Sequence, residues 1–257
     1  NPVLHEAIWG GHTQLVNDLV LAGSDLNWRD EYGSTPLHVA AFRGLDRVVS
    51  TLLLREEVFT NALDNGGATP LLDACRSGHL SVVNTLLAAG ADVTIRNNYG
   101  FTALEIAVDK GHVDVIGALL RHGADVNACD DEGYTPLHSA AEHDQAGAID
   151  ALIQAGANIE SSTSDLHGRR HAVATGKGLE ATVDLLLRWG ADETVVNNDG
   201  NTPADLLDDH DDGNNKTCSE AEIERVRLLL TRAPANRAWR RRCWLVMLRS
   251  CAKTARA

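Results

Sequence analysis

The sequence repeats with a step of 33 or 34 residues, and this period limits the chain to a repeat architecture. Threonine recurs at one equivalent position, and two other residues stand where further markers would fall. The marker positions are Pro2, Thr35, Thr69, Thr102, Thr135, Arg169 and Thr202. A unit this short cannot bury its apolar side alone, so neighbouring units must stack into a solenoid.

Each unit has the pattern of two helices followed by a projecting hairpin. In the unit that begins at Thr69, the threonine can cap a helix and Pro70 presets its first turn, so we predict a short helix that stops near Gly78. A second helix, predicted to end at Gly90, has apolar residues at helical spacing. These residues are Leu80, Val83, Leu86 and Leu87. The following ADVTIRNNYG (91–100) is typical of extended chain making a turn.

Three segments resemble ankyrin repeats, whose period is about 33 residues and whose signature is T-P-L-H-x-A. They are TPLHVAAFRG (35–44), TPLLDACRSGHLSVVNTLLAAGADV (69–93) and TPLHSAA (135–141). The resemblance covers about residues 1–210. It implies an all-α ankyrin-repeat solenoid of about seven repeats, starting near 2, 35, 69, 102, 135, 169 and 202.

Two units depart from the pattern. The unit at Arg169 has RRHA where TPLH belongs, and the unit at Thr35 ends in REEVFTNALDNGG (55–67) without the G-A-D of its siblings. One extra residue accompanies each departure. We expect these two junctions to be the least regular parts of the stack.

The C-terminal part has a different composition. We predict an acidic loop at 208–217, then a helical cap and basic tail at 218–257, in which residues 234–257 carry seven basic side chains and no acid. The favoured role of the tail is to cover the exposed end of the solenoid. The alternatives are a basic amphipathic ligand for a membrane surface, a calmodulin-like protein or nucleic acid, and an adaptor to a ubiquitin-ligase component.

Charge and composition argue against several function classes. The net charge is −13, and it reaches −20 without the basic tail, so we expect no nucleic-acid binding by the repeats. Five cysteines without a C-x-x-C pair argue against a disulfide framework and a zinc site, and favour a cytoplasmic or nuclear protein. The longest apolar run, CWLVML (243–248), is too short to span a membrane. The acidic loop fails the EF-hand pattern, so we expect neither metal nor cofactor.

The histidines invite a catalytic interpretation, but six of the eleven fall on two repeat positions. His5, His38 and His138 occupy the TPLH slot, and His12, His79 and His112 follow the glycine. Groups that recur every 33 residues cannot converge on one substrate, so we expect no enzymatic activity. The resemblance implies that the TPLH histidine bonds to neighbouring backbone and to the threonine hydroxyl.

Two asparagines have a second interpretation. Asn27 and Asn127 lie on hairpins in a context similar to that of ankyrin asparagines modified by an oxygen-dependent hydroxylase. The competing interpretation is a turn residue that bonds to its own backbone.

The resemblance places the variable residues on a concave face, made by hairpin tips and the exposed side of each first helix. Six of the eleven aromatic residues, including all three tyrosines, occupy these slots, and grouped aromatics are typical interface anchors. The predicted partner-binding residues are Trp9, Glu31, Tyr32, Phe42, Arg43, Arg76, Tyr99, Phe101, Asp109, Asp131, Glu132, Tyr134, Glu142 and His143.

These residues predict a non-enzymatic scaffold or adaptor, a monomer, that binds a protein or peptide with a basic rim and an apolar centre. The alternative is the regulatory arm of a larger enzyme or channel. The only methionine is Met247, and we expect the chain to be a piece of a longer protein.

Overall fold

Ten α-helices follow one another in pairs along the part of the chain that the computed structural model describes: residues 2–129, 134–143, 145–158, 163–164, 170–171 and 225. They are α1 Pro2–Trp9, α2 Thr13–Leu21, α3 Pro36–Phe42, α4 Asp46–Leu53, α5 Pro70–Ser77, α6 Leu80–Ala88, α7 Ala103–Asp109, α8 Val113–Arg121, α9 Pro136–Glu142 and α10 Ala146–Gln154. The expected all-α class is confirmed. The repeat count, the boundaries and the C-terminal cap stay predictions, and the acidic loop at 208–217 lies outside the described residues.

The helix limits expected for the unit at Thr69 are confirmed. The Thr69 backbone is extended, with φ −96° and ψ 164°, and its hydroxyl accepts a hydrogen bond from the Leu72 N–H at 3.3 Å. Helix α5 ends at Ser77, and Gly78 follows in the left-handed region with φ 73°. Helix α6 ends at Ala88, two residues before Gly90, whose φ is 81°.

The TPLH histidine closes the start of the first helix and ties one repeat to the next. The Thr35 N–H donates to His38 Nδ1 at 3.2 Å, so Nε2 carries the proton and donates to the Ala68 carbonyl at 3.0 Å. The Thr35 hydroxyl lies 2.9 Å from Nδ1. These contacts confirm the structural role expected for His38.

The histidine after the glycine has a related role. His79 Nε2 donates to the Phe42 carbonyl at 3.1 Å, and His112 Nε2 donates to the Arg76 carbonyl at 3.3 Å. Each bond joins the start of a second helix to the end of the preceding repeat's first helix. Both histidines are therefore used as repeat-to-repeat connectors.

The described chain divides into two units, 1–125 and 126–257. In the first unit the first helices stack in order, with α3 between α1 and α5 and with α7 against α5, while α2, α4, α6 and α8 form a second layer in the same order. One leucine per repeat, at the same position, is fully or almost fully buried between these layers: Leu4, Leu37, Leu71 and Leu104. In the second unit α9 packs against α10.

The hairpins of the first unit are tight turns joined side by side. In each turn a carboxylate or amide oxygen accepts two backbone N–H groups, as Asp64 Oδ1 does from Gly66 at 2.8 Å and Ala68 at 2.7 Å. Asn65 donates from its backbone to the Tyr32 carbonyl at 2.9 Å and from its side chain to the Glu31 carbonyl at 3.0 Å. Asn98, one hairpin further along the chain, makes the same two bonds to the hairpin before it. The hairpin tips are therefore held at a fixed spacing.

Gly67→Ala should lower the free energy of unfolding by about 2 kcal/mol, because strain and overlap act together. Gly67 has φ 73°, and a Cβ there would lie 2.9 Å from the Asn98 backbone nitrogen and 2.4 Å from its Oδ1. Gly90→Ala is the control, because Gly90 has φ 81° but no atom within 4 Å of an added Cβ. Urea unfolding of both variants measures the difference, and an equal loss in both would contradict a role for the contact between hairpins.

The two irregular junctions differ from the other repeats. After α4 the chain has no left-handed glycine and takes an extra turn, in which the Val58 N–H donates to the Arg55 carbonyl at 3.1 Å. At the second junction, strand β1 (Thr163–Ser164) pairs antiparallel with strand β2 (Arg170–His171). Arg170 and His171 therefore form a strand at the position where a regular repeat begins a helix. This agrees with the sequence, which lacks the helix-starting Thr-Pro pair there.

Candidate functional site

The predicted site residues at the ends of the first helices form one cluster. Trp9 and Phe42 hold equivalent positions in α1 and α3, with ring centroids 6.0 Å apart in an edge arrangement. The Arg43 guanidinium lies 5.2 Å from the Trp9 ring centroid, and its Nη1 donates to the Trp9 carbonyl. Trp9 is 49% exposed and Phe42 is 41% exposed. The cluster is therefore ordered, and large parts of both rings face water.

The predicted hairpin residues of the first unit are more exposed still. Tyr32 is 67% exposed, Tyr99 is 80% exposed and Phe101 is 49% exposed. Their backbone is fixed, because the Tyr32 N–H donates to Asp30 Oδ1 at 2.9 Å and the Tyr99 N–H donates to Asn97 Oδ1 at 3.0 Å. No aromatic pair within residues 2–129 includes these three rings. The structure thus displays them singly on rigid turns.

The predicted residues of the second unit have other surroundings. Tyr134 stacks on His138 with ring centroids 5.4 Å apart, and it is only half-exposed. His143 lies just after α9 and its Nδ1 donates to the Ser139 carbonyl at 2.9 Å. Glu142 ends α9. Asp131 and Glu132 lie outside the described residues.

Helix α5 carries a buried acid on the same helix as the predicted site residue Arg76. Asp73 is 7% exposed, and its Oδ1 lies 3.5 Å from Arg76 Nη1, a long ion pair. Burial raises the pKa of Asp73 to about 7, Arg76 opposes this rise, and the charge of Asp64 adds to it. Asp109, another predicted residue, pairs with Lys110 at 2.9 Å on the exposed end of α7.

Arg76 is one of the predicted partner-binding residues, whereas the burial of Asp73 beside it was not predicted. The signal was the position of Asp73, four residues after the marker, where Val39 and Ile106 stand in the neighbouring repeats. Both of these residues are buried, at 4% and 8% exposure. An acid on that apolar row is therefore the irregularity that a comparison of repeats could have found.

The sequence did not predict a cavity of about 840 Å³. It opens at the irregular junction after α4, and its lining includes Arg29, Phe59, Leu63 and Gly90. The extra residue of that repeat, already noted in the sequence, is the feature that could have indicated it.

The two asparagines considered for hydroxylation bond to the backbone of the following repeat. Asn27 Nδ2 donates to the Glu57 carbonyl at 2.6 Å, and its Oδ1 accepts from the Phe59 N–H at 3.1 Å. Asn127 Oδ1 accepts from the Asn158 N–H at 2.7 Å. These side-chain bonds join neighbouring repeats, whereas the turn interpretation expected bonds to the asparagine's own backbone; hydroxylation stays a prediction.

The described residues bear on three further features, namely metal binding, thiolate formation and membrane spanning. No group of three or more His, Cys, Asp or Glu side chains with metal-site geometry occurs among them. Cys75 is fully buried, and this burial raises the pKa of its thiol, which disfavours the thiolate. None of the helices in this part of the chain combines the length and apolarity needed to cross a membrane.

Comparison with known proteins gives a family match over most of the described region. A family model described as ankyrin repeats, three copies, matches residues 4–97 and 90–163. The nuclear factor NF-kappa-B p105 subunit of Gallus gallus is 36% identical over 93 residues, which are 35% of this chain and 9% of that protein. SH3 and multiple ankyrin repeat domains protein 2 of Homo sapiens is 33% identical over 94 residues, or 37% of this chain and 5% of that protein.

A shorter relative is the 26S proteasome non-ATPase regulatory subunit 10 of Dictyostelium discoideum. It is 40% identical over 78 residues, which are 30% of this chain and 34% of that protein. The chain spans between 5% and 34% of the length of these three relatives. Ankyrin repeats are generally non-catalytic modules that bind other proteins. Because the family match covers more than half of its 257 residues, the chain belongs to the ankyrin repeat family.

Proposed function

We propose that this chain is a scaffold or adaptor that binds a partner protein through one surface of residues 2–125, here called the aromatic face. Its members are Trp9, Tyr32, Phe42, Tyr99 and Phe101. The observation that carries the proposal is that all five are between 41% and 80% exposed although they lie on ordered elements. Exposed aromatics on a rigid frame lose little conformational freedom when a partner covers them.

The Trp9 end of this face supplies a preorganised anchor. Arg43 is held over the Trp9 ring and bonded to the Trp9 carbonyl, and the Phe42 ring contacts the indole in an edge arrangement. Tryptophan, arginine and tyrosine are the residue types that dominate binding energy in protein interfaces. A partner that buries this cluster therefore gains much of its affinity there.

The charge of the unit sets the chemistry of the partner. Residues 1–125 contain fifteen acidic and eight basic side chains, an excess of seven negative charges. Complementary charge speeds association and excludes wrong partners. The proposed partner therefore has basic residues around an apolar contact, and acidic surfaces, including nucleic acid, are disfavoured.

Replacing Tyr99 and Phe101 together with alanine should weaken partner capture by tenfold or more, because two desolvated rings are lost. The partner is captured from lysate on the immobilised 257-residue chain, identified by mass spectrometry and then titrated as a purified protein. The matched control is Phe59→Ala with Leu63→Ala, which also removes two exposed apolar side chains, at 64% and 44% exposure, but beside the cavity after α4.

The two double variants distinguish the surfaces. Loss of binding in the Tyr99 and Phe101 variant alone supports the aromatic face. Unchanged affinity in that variant contradicts the proposal, and loss only in the Phe59 and Leu63 variant moves the binding site to the cavity. Circular dichroism before titration checks that both variants keep their helices.

A further inference from the structure

We propose that the aromatic face receives one lysine or arginine side chain of its partner, whose cationic group enters between the Tyr32 and Tyr99 hairpins and pairs with the Asp73 carboxylate. This inference rests on the proposed function and adds the chemistry of one subsite.

The hairpin row has a gap in its middle. Tyr32 and Tyr99 hold the same position in their turns, and the turn between them has Gly66 there. Gly66 is followed by Gly67 and Ala68, so this hairpin presents no large side chain. The backbone bonds from Asn65 to Tyr32 and from Asn98 to Gly66 show that the three turns lie in order. At about 8 to 10 Å per stacked layer, the two tyrosine hairpins stand roughly 16 to 20 Å apart.

Asp73 lies in the first turn of helix α5, which follows this glycine hairpin in the chain. Its N–H donates to the Thr69 carbonyl at 3.2 Å, so it sits one helical turn after the residue that follows the glycine hairpin. Side chains in a helix lean towards the N-terminus, which for α5 is the direction of that hairpin. The charge of Asp64, in the same hairpin, acts on Asp73. The glycine hairpin therefore contains Asp64, is followed at the start of α5 by Asp73, and has a tyrosine hairpin on each side.

The acid has only a weak partner of its own. Arg76 Nη1 is 3.5 Å from Asp73 Oδ1, and the Arg76 side chain is 43% exposed. In the neighbouring repeats the same row is filled by the aliphatic residues Val39 and Ile106. A buried acid whose ion pair is this long is suited to an incoming cation, which can replace Arg76 at shorter distance.

The first experiment uses a minimal probe and the ¹⁵N-labelled full chain. Nα-acetyl-lysine N-methylamide is titrated in NMR spectra, with Nα-acetyl-norleucine N-methylamide as the probe that lacks the ammonium. We expect saturating shifts of the Gly66, Gly67 and Asp73 amides with lysine and smaller, non-saturating shifts with norleucine. Equal responses to both probes, or shifts spread evenly over exposed acids, would overturn the proposal.

Three variants locate the subsite. Asp73→Asn should lower the affinity for the lysine probe at least about tenfold, because a charge-assisted bond is lost while the side-chain shape is almost unchanged. Gly66→Tyr should also lower the affinity for the probe, because the added ring fills the gap. The turn can accept this substitution, because an added Cβ meets only the Asp64 carboxylate, at 3.3 Å. Glu56→Gln removes an equal charge from an exposed residue outside the aromatic face and should change nothing. Unchanged affinity in Asp73→Asn overturns the assignment.

Capture of the partner separates this inference from the proposed function. If binding depends on Tyr99 and Phe101 but is the same for Asp73→Asn as for Glu56→Gln, the aromatic face stands and the cation subsite is wrong. If binding survives loss of both rings, the proposed function fails whatever the lysine probe shows. If both sets of variants lose affinity about tenfold or more, the subsite is supported.

Discussion

Asp73→Asn should raise the free energy of unfolding by about 4 kcal/mol at pH 8 and change it by only a few tenths of a kcal/mol at pH 4. The cause is the burial of this carboxyl, which raises its pKa from 3.8 to about 7 in the folded chain. Ionised Asp73 therefore opposes folding, while asparagine has nearly the same shape without the charge. Urea unfolding of both proteins at several pH values measures the difference.

The sign follows from proton binding. Between about pH 4 and pH 7 the folded chain holds a proton on Asp73 that the unfolded chain has released, so the stability of the natural chain falls as pH rises through this window. Asp73→Asn does not lose stability in this way as the pH rises. Glu56→Gln, an exposed control of equal charge change, should leave the free energy of unfolding at pH 8 within about 0.5 kcal/mol of the natural chain. A natural chain as stable as Asp73→Asn at pH 8 would contradict the burial cost.

His38→Ala should lower the free energy of unfolding by about 3 kcal/mol at pH 7.5. The substitution removes the acceptor of the Thr35 N–H and the donor to the Ala68 carbonyl, and it leaves a cavity where a side chain of 1% exposure stood. His122→Ala is the control, because His122 is exposed and bonds only to the Ala118 carbonyl of its own helix, at 2.9 Å. A loss in the control as large as in His38→Ala would contradict the assigned role.

Lowering the pH should reduce the difference in free energy of unfolding between the natural chain and His38→Ala. Burial lowers the pKa of both His38 and His5 below 6.5, so the folded chain prefers their neutral forms. Their contribution is fully present above about pH 6.5 and is lost as pH falls through the lowered folded-state pKa. We expect the gap between the natural chain and His38→Ala to narrow from pH 7.5 to pH 5, and a constant gap would contradict protonation of His38.

The backbone of the repeats could be predicted from the sequence because its signals are local. Thr69 and Pro70 start α5 and Gly78 ends it, as their own conformational preferences dictate. The α4 junction was predicted to be irregular because the glycine after the second helix is missing there, but the path that its extra residue takes depends on non-local contacts such as the Asn27 bonds to Glu57 and Phe59. Such bonds have no counterpart in local propensity.

The candidate site could be predicted only in part. The exposure of Tyr32 and Tyr99 follows from their place at turn tips, and repeat alignment finds it. The stacking of Tyr134 on His138 and the placement of Arg43 over Trp9 depend on side-chain rotamers, which are set by tertiary packing. The burial of Asp73 depends on α3 and α7 packing on both sides of α5, which no single repeat contains.

The bonds between hairpins give the three turns of the first unit a fixed order. Asn65 and Asn98 each fix their own turn against the one before it, so each of these hairpins has a set place in that unit. The carboxylate of Asp73 is then defined by its place in the order tyrosine, glycine, tyrosine. Exchanging whole repeats would move that charge by one step while leaving composition and fold class unchanged. Under the proposed function, the order of the repeats would therefore determine which partner binds.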